Sequence, residues 1–124
     1  MTTRGMNLES NSDLGAYGQK LAEDYLRANG FYIIDRNFRC QSGEIDIIAR
    51  DRGYVSFIEV KYRRSLTHGY PREAVGYYKQ RHIRRVAQYY IMKNQLSNQD
   101  FRFDVLEIID LAANPEITLI KNAF

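Results

Sequence analysis

The chain carries a single cysteine, Cys40, and two histidines among its 124 residues. One cysteine excludes an internal disulfide, and with so few histidines it also excludes a Cys/His zinc cluster. A protein without disulfides is expected in a reducing compartment, so the cytoplasm is the expected location. No apolar run approaches the ~18 residues of a membrane span, so no membrane partner is expected. Residues 1–12 are polar and lack the apolar stretch of a secretory signal. Internal repeats, linkers and low-complexity segments are absent as well.

What remains has ordinary globular proportions, 44% hydrophobic and 27% charged. The length fits one domain that buries roughly two-thirds of its unfolded surface. Residues 1–12 are expected to form a frayed tail and residues 13–124 a single domain.

Helical spacing of Leu14, Tyr17, Leu21, Ala22, Tyr25 and Leu26 predicts a first helix over 13–29. Asp13 is placed to cap its start, and Gly30 sits where a C-terminal glycine belongs. Three strands follow, over 31–38, 44–50 and 54–61, the last two joined by the turn Asp51-Arg52-Gly53. Pro71 predicts the first turn of a second helix over 72–93, with Val75, Tyr78, Ile83, Val86, Ala87, Tyr90 and Ile91 as its apolar members. A fourth strand is expected over 101–109, a turn at Asn114-Pro115, and a short fifth strand over 117–120. The order α-β-β-β-α-β-β predicts an α/β sandwich with a mixed sheet.

Charge inside strands is the unusual feature. Strict alternation puts Glu59 and Lys61 on one face of the third strand with Val55 and Phe57, and Glu44, Asp46 and Ile48 on one face of the second. Aspartate is a poor strand residue, and an acid among isoleucines costs stability unless it is paired or bound to a metal. A two-residue turn at Arg52-Gly53 pairs Asp51 with Tyr54, which stands Asp46 opposite Glu59 and Glu44 opposite Lys61. Opposed like charges are unfavourable, and a hard divalent cation, Mg²⁺ or Mn²⁺, would turn that repulsion into ligation. The structural alternative is a Glu44–Lys61 or Glu59–Lys61 ion pair at a sheet edge, with Asp46 reaching solvent.

The net charge of +3 conceals an asymmetry. Residues 61–86 hold eight basic residues against one acid, net +7, while the rest of the chain holds ten basic and fourteen acidic residues, net −4. Arg63, Arg64, Lys79, Arg81, Arg84 and Arg85 make this stretch a candidate nucleic-acid surface. A solvated helix face is the competing reading.

The motifs G-E-I-D-I-I-A at 43–49 and F-I-E-V-K-Y-R at 57–63 resemble the D-x(n)-E-x-K pattern of restriction-endonuclease-like nucleases. Together with G-x-x-G at 15–18, A-x-x-Y-L at 22–26, N-F-R-C at 37–40, K-Q-R at 79–81 and R-F-D-V at 102–105, they resemble the YraN-like family of uncharacterised bacterial proteins. That family is similar in fold to archaeal Holliday junction resolvases. The resemblance implies a restriction-endonuclease-like α/β fold in which Asp46 and Glu59 ligate a metal, the Val60 carbonyl faces it, and Lys61 is the catalytic lysine. It also implies Mg²⁺ or Mn²⁺ as cofactor, DNA (branched or damaged) as partner, and a homodimer. The family pattern has a glutamate on the first helix where this chain has Gln19, one charge short, so weak metal binding is expected. Glu23, one helical turn on, either reaches the site or is a solvated helix glutamate.

Lys79 and Gln80 face either the site or solvent. Of Tyr77, Tyr78, Tyr89 and Tyr90, two are expected to pack inward and the rest could stack on bases. His68 is read as an exposed loop residue, Asp104 as structural with a basic partner, and Cys40 as buried or inert. Two other functions stay open: a nucleic-acid-binding module of the same fold that cuts poorly or not at all, and an interaction protein whose basic helix meets an acidic partner.

Overall fold

The computed structural model describes residues 11–65 and 75–124. The expected positions His68, Pro71 and Arg72 lie outside the described residues. The elements are α1 (Asn11–Ala28), β1 (Tyr32–Cys40), β2 (Gly43–Asp51), β3 (Tyr54–Arg63), α2 (Tyr77–Lys93), β4 (Asp100–Leu111) and β5 (Asn114–Ile120). This is the α-β-β-β-α-β-β order and mixed α/β architecture expected of a restriction-endonuclease-like fold. The five strands form one sheet in the order β1-β2-β3-β4-β5. Only β3 and β4 run parallel, joined by the segment that contains α2; the other neighbours are antiparallel. No helix among the described residues is long and apolar enough to cross a membrane.

The helices cover opposite faces of the sheet. Ala22 and Leu26 of α1 pack on Ile47, Ala49, Ile58, Leu106 and Ile108. Ile83, Val86, Ala87 and Tyr90 of α2 pack on Ile45, Ile48, Val55 and Phe57. Gly18 is what lets α1 approach β3: a Cβ there would lie 2.9 Å from the Cβ of Tyr62. Helix α1 begins at Asn11, so Asp13 lies within it rather than capping its start, and residues 11 and 12 belong to the helix, not to a tail. It ends as expected, with Gly30 at φ +88 and the Phe31 N–H returning to the Leu26 carbonyl at 2.9 Å.

The β2–β3 hairpin keeps the expected register, Asp51 against Tyr54 through to Ile47 against Ile58. There the pairing stops, so Asp46 does not form a ladder pair with Glu59, nor Glu44 with Lys61. The alternation of β2 also breaks at this point. Ile45 packs beneath α2 and Ile47, two residues on, beneath α1, although residues two apart in a regular strand share a face. The expected common face of Glu44, Asp46 and Ile48 is therefore corrected: Ile48 packs under α2, while Glu44 and Asp46 line a cleft beside α1.

Three further expectations are revised. Helix α2 begins at Tyr77, because Gly76 is extended at its N-cap; Val75 precedes the helix rather than packing within it. Tyr90 alone of the four tyrosines is buried, so Tyr78 is not a core residue. The turn between β4 and β5 is Ala112-Ala113, both left-handed at φ 55 and 56, between the paired Leu111 and Asn114. These angles suit a two-residue hairpin turn, and Pro115 is tolerated in β5 because β5 is an edge strand.

Candidate active site

Where β2 and β3 part, a backbone N–H that would otherwise continue the ladder is left over. Val60 donates it to Asp46 Oδ2 at 2.8 Å. Asp46 is half-buried, and Glu59 is only 6% exposed. Burial, then the neighbouring Glu59 carboxylate, push the Asp46 carboxyl up to about 7; Glu44 adds to the rise, while the Val60 N–H and Lys79 oppose it. Two carboxylates close together in a poorly solvated place cannot both ionise freely, so near neutrality Asp46 shares its time between acid and base.

Glu59 has cationic neighbours from two elements. Its Oε2 lies 3.2 Å from Lys61 Nζ and 3.1 Å from Lys79 Nζ. The Glu59–Lys61 pair of the structural alternative thus exists, but in the central strand β3 rather than at a sheet edge and with Asp46 half-buried, and Lys79, at the start of α2, joins it. Glu44 does not pair with Lys61. It accepts from Asn37 Nδ2 at 3.2 Å and lies 3.4 Å from Arg39 Nε.

The cleft beside Asp46 has a volume of about 710 Å³ and is bordered by α1, β1 and the ends of β2 and β3. Gln19 reaches across it from α1. Its Nε2 donates to Asn37 Oδ1 at 2.9 Å and to the Asp46 main-chain carbonyl at 3.3 Å, and Asn37 Nδ2 returns a bond to Gln19 Oε1 at 3.1 Å. Glu23 borders the cleft too, but it is neither solvated nor free. Arg36 Nε and Nη2 grip its two oxygens at 3.0 and 3.1 Å. Burial alone would raise its pKa, yet the hydrogen bonds from Arg36 and Gln19 and the charges of Arg36 and Arg27 hold it below the ordinary value.

Sequence reasoning missed Asn37, which ties Gln19 to Glu44. Its signal was present: an asparagine near the end of the strand predicted over 31–38, of the residue type that best tolerates the left-handed region, where it sits at φ 51. Gln80 is elsewhere. It donates to the Val75 carbonyl at 3.1 Å and lines a separate cleft with Val105, Ile120 and Phe124.

The basic stretch also divides. Lys61 and Lys79 turn to Glu59, and Arg63 is half-buried. Arg64, Arg81, Arg84 and Arg85 are exposed. Arg84 lies over the Phe103 ring at 4.8 Å and Arg81 over the Tyr77 ring at 5.7 Å.

Among the described residues no group of three or more His, Cys, Asp or Glu side chains is arranged around one point. What a cation could use is two carboxylates, Asp46 and Glu59, and the Val60 carbonyl. These hard oxygen donors fit Mg²⁺ or Mn²⁺, which is commonly held by one or two carboxylates and otherwise by water. The charge on Asp46 that burial and Glu59 disfavour is the charge such a cation would stabilise.

Residues 18–108 match the uncharacterised protein family UPF0102. A UPF0102 protein of Clostridium botulinum (strain Loch Maree / Type A3) is 49% identical over 117 residues, 92% of this chain and 95% of the relative. A UPF0102 protein of Clostridium acetobutylicum is 49% identical over 116 residues, again 92% and 95% of the two chains.

Proposed function

The chain belongs to the uncharacterised family UPF0102, and from its own site we propose that it binds DNA and carries a metal-dependent phosphodiesterase site acting on branched or damaged DNA. The observation that carries this reading is the Asp46–Glu59 pair, with Asp46 raised to about 7 and two lysines on Glu59. A strongly perturbed acid in a cleft is a candidate functional group, because burial and like-charge pairs of this kind are how active sites tune their acids and bases.

Asp46, Glu59 and the Val60 carbonyl would hold Mg²⁺ or Mn²⁺, which when bound supplies Lewis acidity toward a phosphate oxygen and an acidified water. The chain's own groups do the rest. Lys61 and Lys79 approach the same Glu59 oxygen. Engaging that oxygen elsewhere frees their ammonium groups for the negative charge that grows on the phosphate oxygens in the transition state. Hydrolysis forms a bond from the water oxygen to phosphorus and breaks the bond from phosphorus to the 3′ oxygen. The 3′ oxygen leaves with a proton, and a 5′-phosphate remains. Gln19 holds the Asp46 carbonyl and so the position of the β2 end.

The test is a cleavage panel of four-way junction, flap, single-stranded and duplex DNA with Mg²⁺ and with Mn²⁺. Cleavage that requires the metal and is lost in Asp46→Asn is the expected outcome; no cleavage of any substrate overturns the enzyme. A second reading is a binding module of the same fold. It is favoured by Gln19 standing where the family pattern carries an acid, and it predicts DNA binding without cleavage.

A further inference from the structure

Helix α2 carries its buried residues on one side: Ile83, Val86, Ala87 and Tyr90. At 3.6 residues per turn the opposite side presents Tyr77, Tyr78, Arg81, Arg85, Tyr89 and Met92. These side chains are not spare core. Tyr77 is 67% exposed, Tyr78 75%, Tyr89 49% and Met92 70%. Tyr77 and Tyr78 meet edge to face at 5.6 Å, and Arg81 leans on Tyr77. The helix has five basic residues and no acid between Tyr77 and Lys93.

Three exposed aromatic rings, interleaved with cations of one sign, are costly as a plain solvated face, because each ring keeps apolar surface in water. They match the chemistry of an unpaired polynucleotide strand: phosphates for the arginines, free base faces for the rings. A duplex offers the phosphates, but its base faces are stacked away. The strip is also placed at the candidate active site, for Tyr77 and Tyr78 immediately precede Lys79, whose Nζ lies on Glu59. From Tyr77 to Met92 it runs about 22 Å, at roughly 1.5 Å per residue.

We infer that the outer face of α2, from Tyr77 to Met92, is a stacking platform for single-stranded DNA that leads to the Asp46–Glu59 site. This rests on the DNA reading above and narrows it: the substrate class has an unpaired strand next to the bond that is cut, as in a flap or an open junction. The rings bind bases without regard to sequence, and Arg81 and Arg85 bind the backbone.

The experiment is fluorescence anisotropy in EDTA, with a fluorescein-labelled 20-mer of dT and a labelled 20-base-pair duplex, across a salt series. The expected result is at least tenfold tighter binding of dT than of duplex. Tyr77→Ala with Tyr78→Ala should weaken dT binding roughly tenfold, as loss of base stacking does, with the salt slope and duplex binding unchanged. Arg81→Ala with Arg85→Ala should instead flatten the salt slope by about two counterions. Tyr77→Phe with Tyr78→Phe should bind dT as the wild type does, which separates ring stacking from any effect on folding. Duplex bound as tightly as dT, or an alanine pair within twofold of wild type, overturns the platform while DNA binding stands. Failure of every DNA to bind overturns the DNA reading itself, and the platform with it. Because EDTA prevents cleavage, an inactive nuclease does not affect the outcome.

Discussion

Strand β2 carries two aspartates, Asp46 just past the end of its pairing with β3 and Asp51 at its last residue, and the two meet opposite surroundings. Asp51 Oδ2 lies 2.9 Å from Arg102 Nη2 and 2.9 Å from Lys121 Nζ. Arg102 also grips Asp104, which is fully buried and further satisfied by the Ser56 hydroxyl and the Asn122 N–H. Burial would raise Asp51, but Lys121 and Arg102 outweigh it and hold the carboxyl below its usual range. Asp46 receives one backbone N–H and faces a second acid, and its carboxyl rises to about 7. One strand thus places the same side chain in two settings: burial and a second acid raise Asp46, while two cations outweigh burial at Asp51. The Asp51 end is a paired network that holds the sheet together. The Asp46 end stores the repulsion that a ligand could relieve.

The comparison breaks most visibly at Arg102. Arg102→Met should destabilise the fold by about 3–5 kcal/mol, because Asp51 and Asp104 would stay buried without their shared cation. A urea midpoint close to that of the wild type would show that the Asp51 end is no better satisfied than the Asp46 end. At the other end the expected cost falls on chemistry. Lys61→Ala should lower cleavage ~100-fold by removing charge from the transition state, and DNA affinity should change little, since one phosphate contact is a small part of the total.

Next in size is the response to pH, which should run in opposite directions at the two ends. Asp46 has a raised folded pKa, so its contribution to stability is full below about pH 4 and is lost as pH rises through about 7. Asp51 has a lowered one, so its contribution is present above about pH 4 and is lost as pH falls below that. Side-chain carboxyl NMR should find Asp46 titrating near 7 and Asp51 below about 4. Asp46→Asn should stabilise the metal-free protein by about 1–3 kcal/mol at pH 8, and by progressively less toward pH 4. Equal gains at both pH values would mean that the Asp46 charge is not what the site stores. The smallest effect is expected at Gln19. Gln19→Glu removes the donor to Asn37 and to the Asp46 carbonyl and should cost about 1 kcal/mol without metal. With Mn²⁺ the same variant should bind more tightly, read as a larger rise in Tm than the wild type shows.

Much of the frame was open to reading along the chain, because local physics sets it. Apolar periodicity and turn residues located both helices and all five strands, with element ends off by up to five residues. The Arg52-Gly53 turn dictated the β2–β3 register, since a two-residue hairpin leaves no freedom in which residues face each other. Asp104 was recognisable as a paired structural acid from its place in an apolar strand. Where local geometry departs from the ideal, this reading failed. The end of ladder pairing after Ile47–Ile58 accompanies the lost alternation around Asp46, where Ile45 turns to the α2 face and Ile47 to the α1 face.

Composition and spacing determined that this chain folds as two helices on a mixed sheet, with Asp46, Glu59 and Lys61 near one another. Hydrophobic burial and turn chemistry act over a few residues, and they are written in order along the chain. Tertiary packing decided the contacts that join separate elements. Lys79 reaches Glu59 only because α2 lies under β3, Asn37 joins Gln19 only because α1 crosses β1, and Arg102, which holds Asp104 on its own strand, also reaches Asp51 only because β3 brings β2 and β4 to its two sides. A charged side chain carries no periodicity that names its partner. Its pKa follows from distances between groups 14 to 70 residues apart in the chain, and those distances exist only in the folded protein.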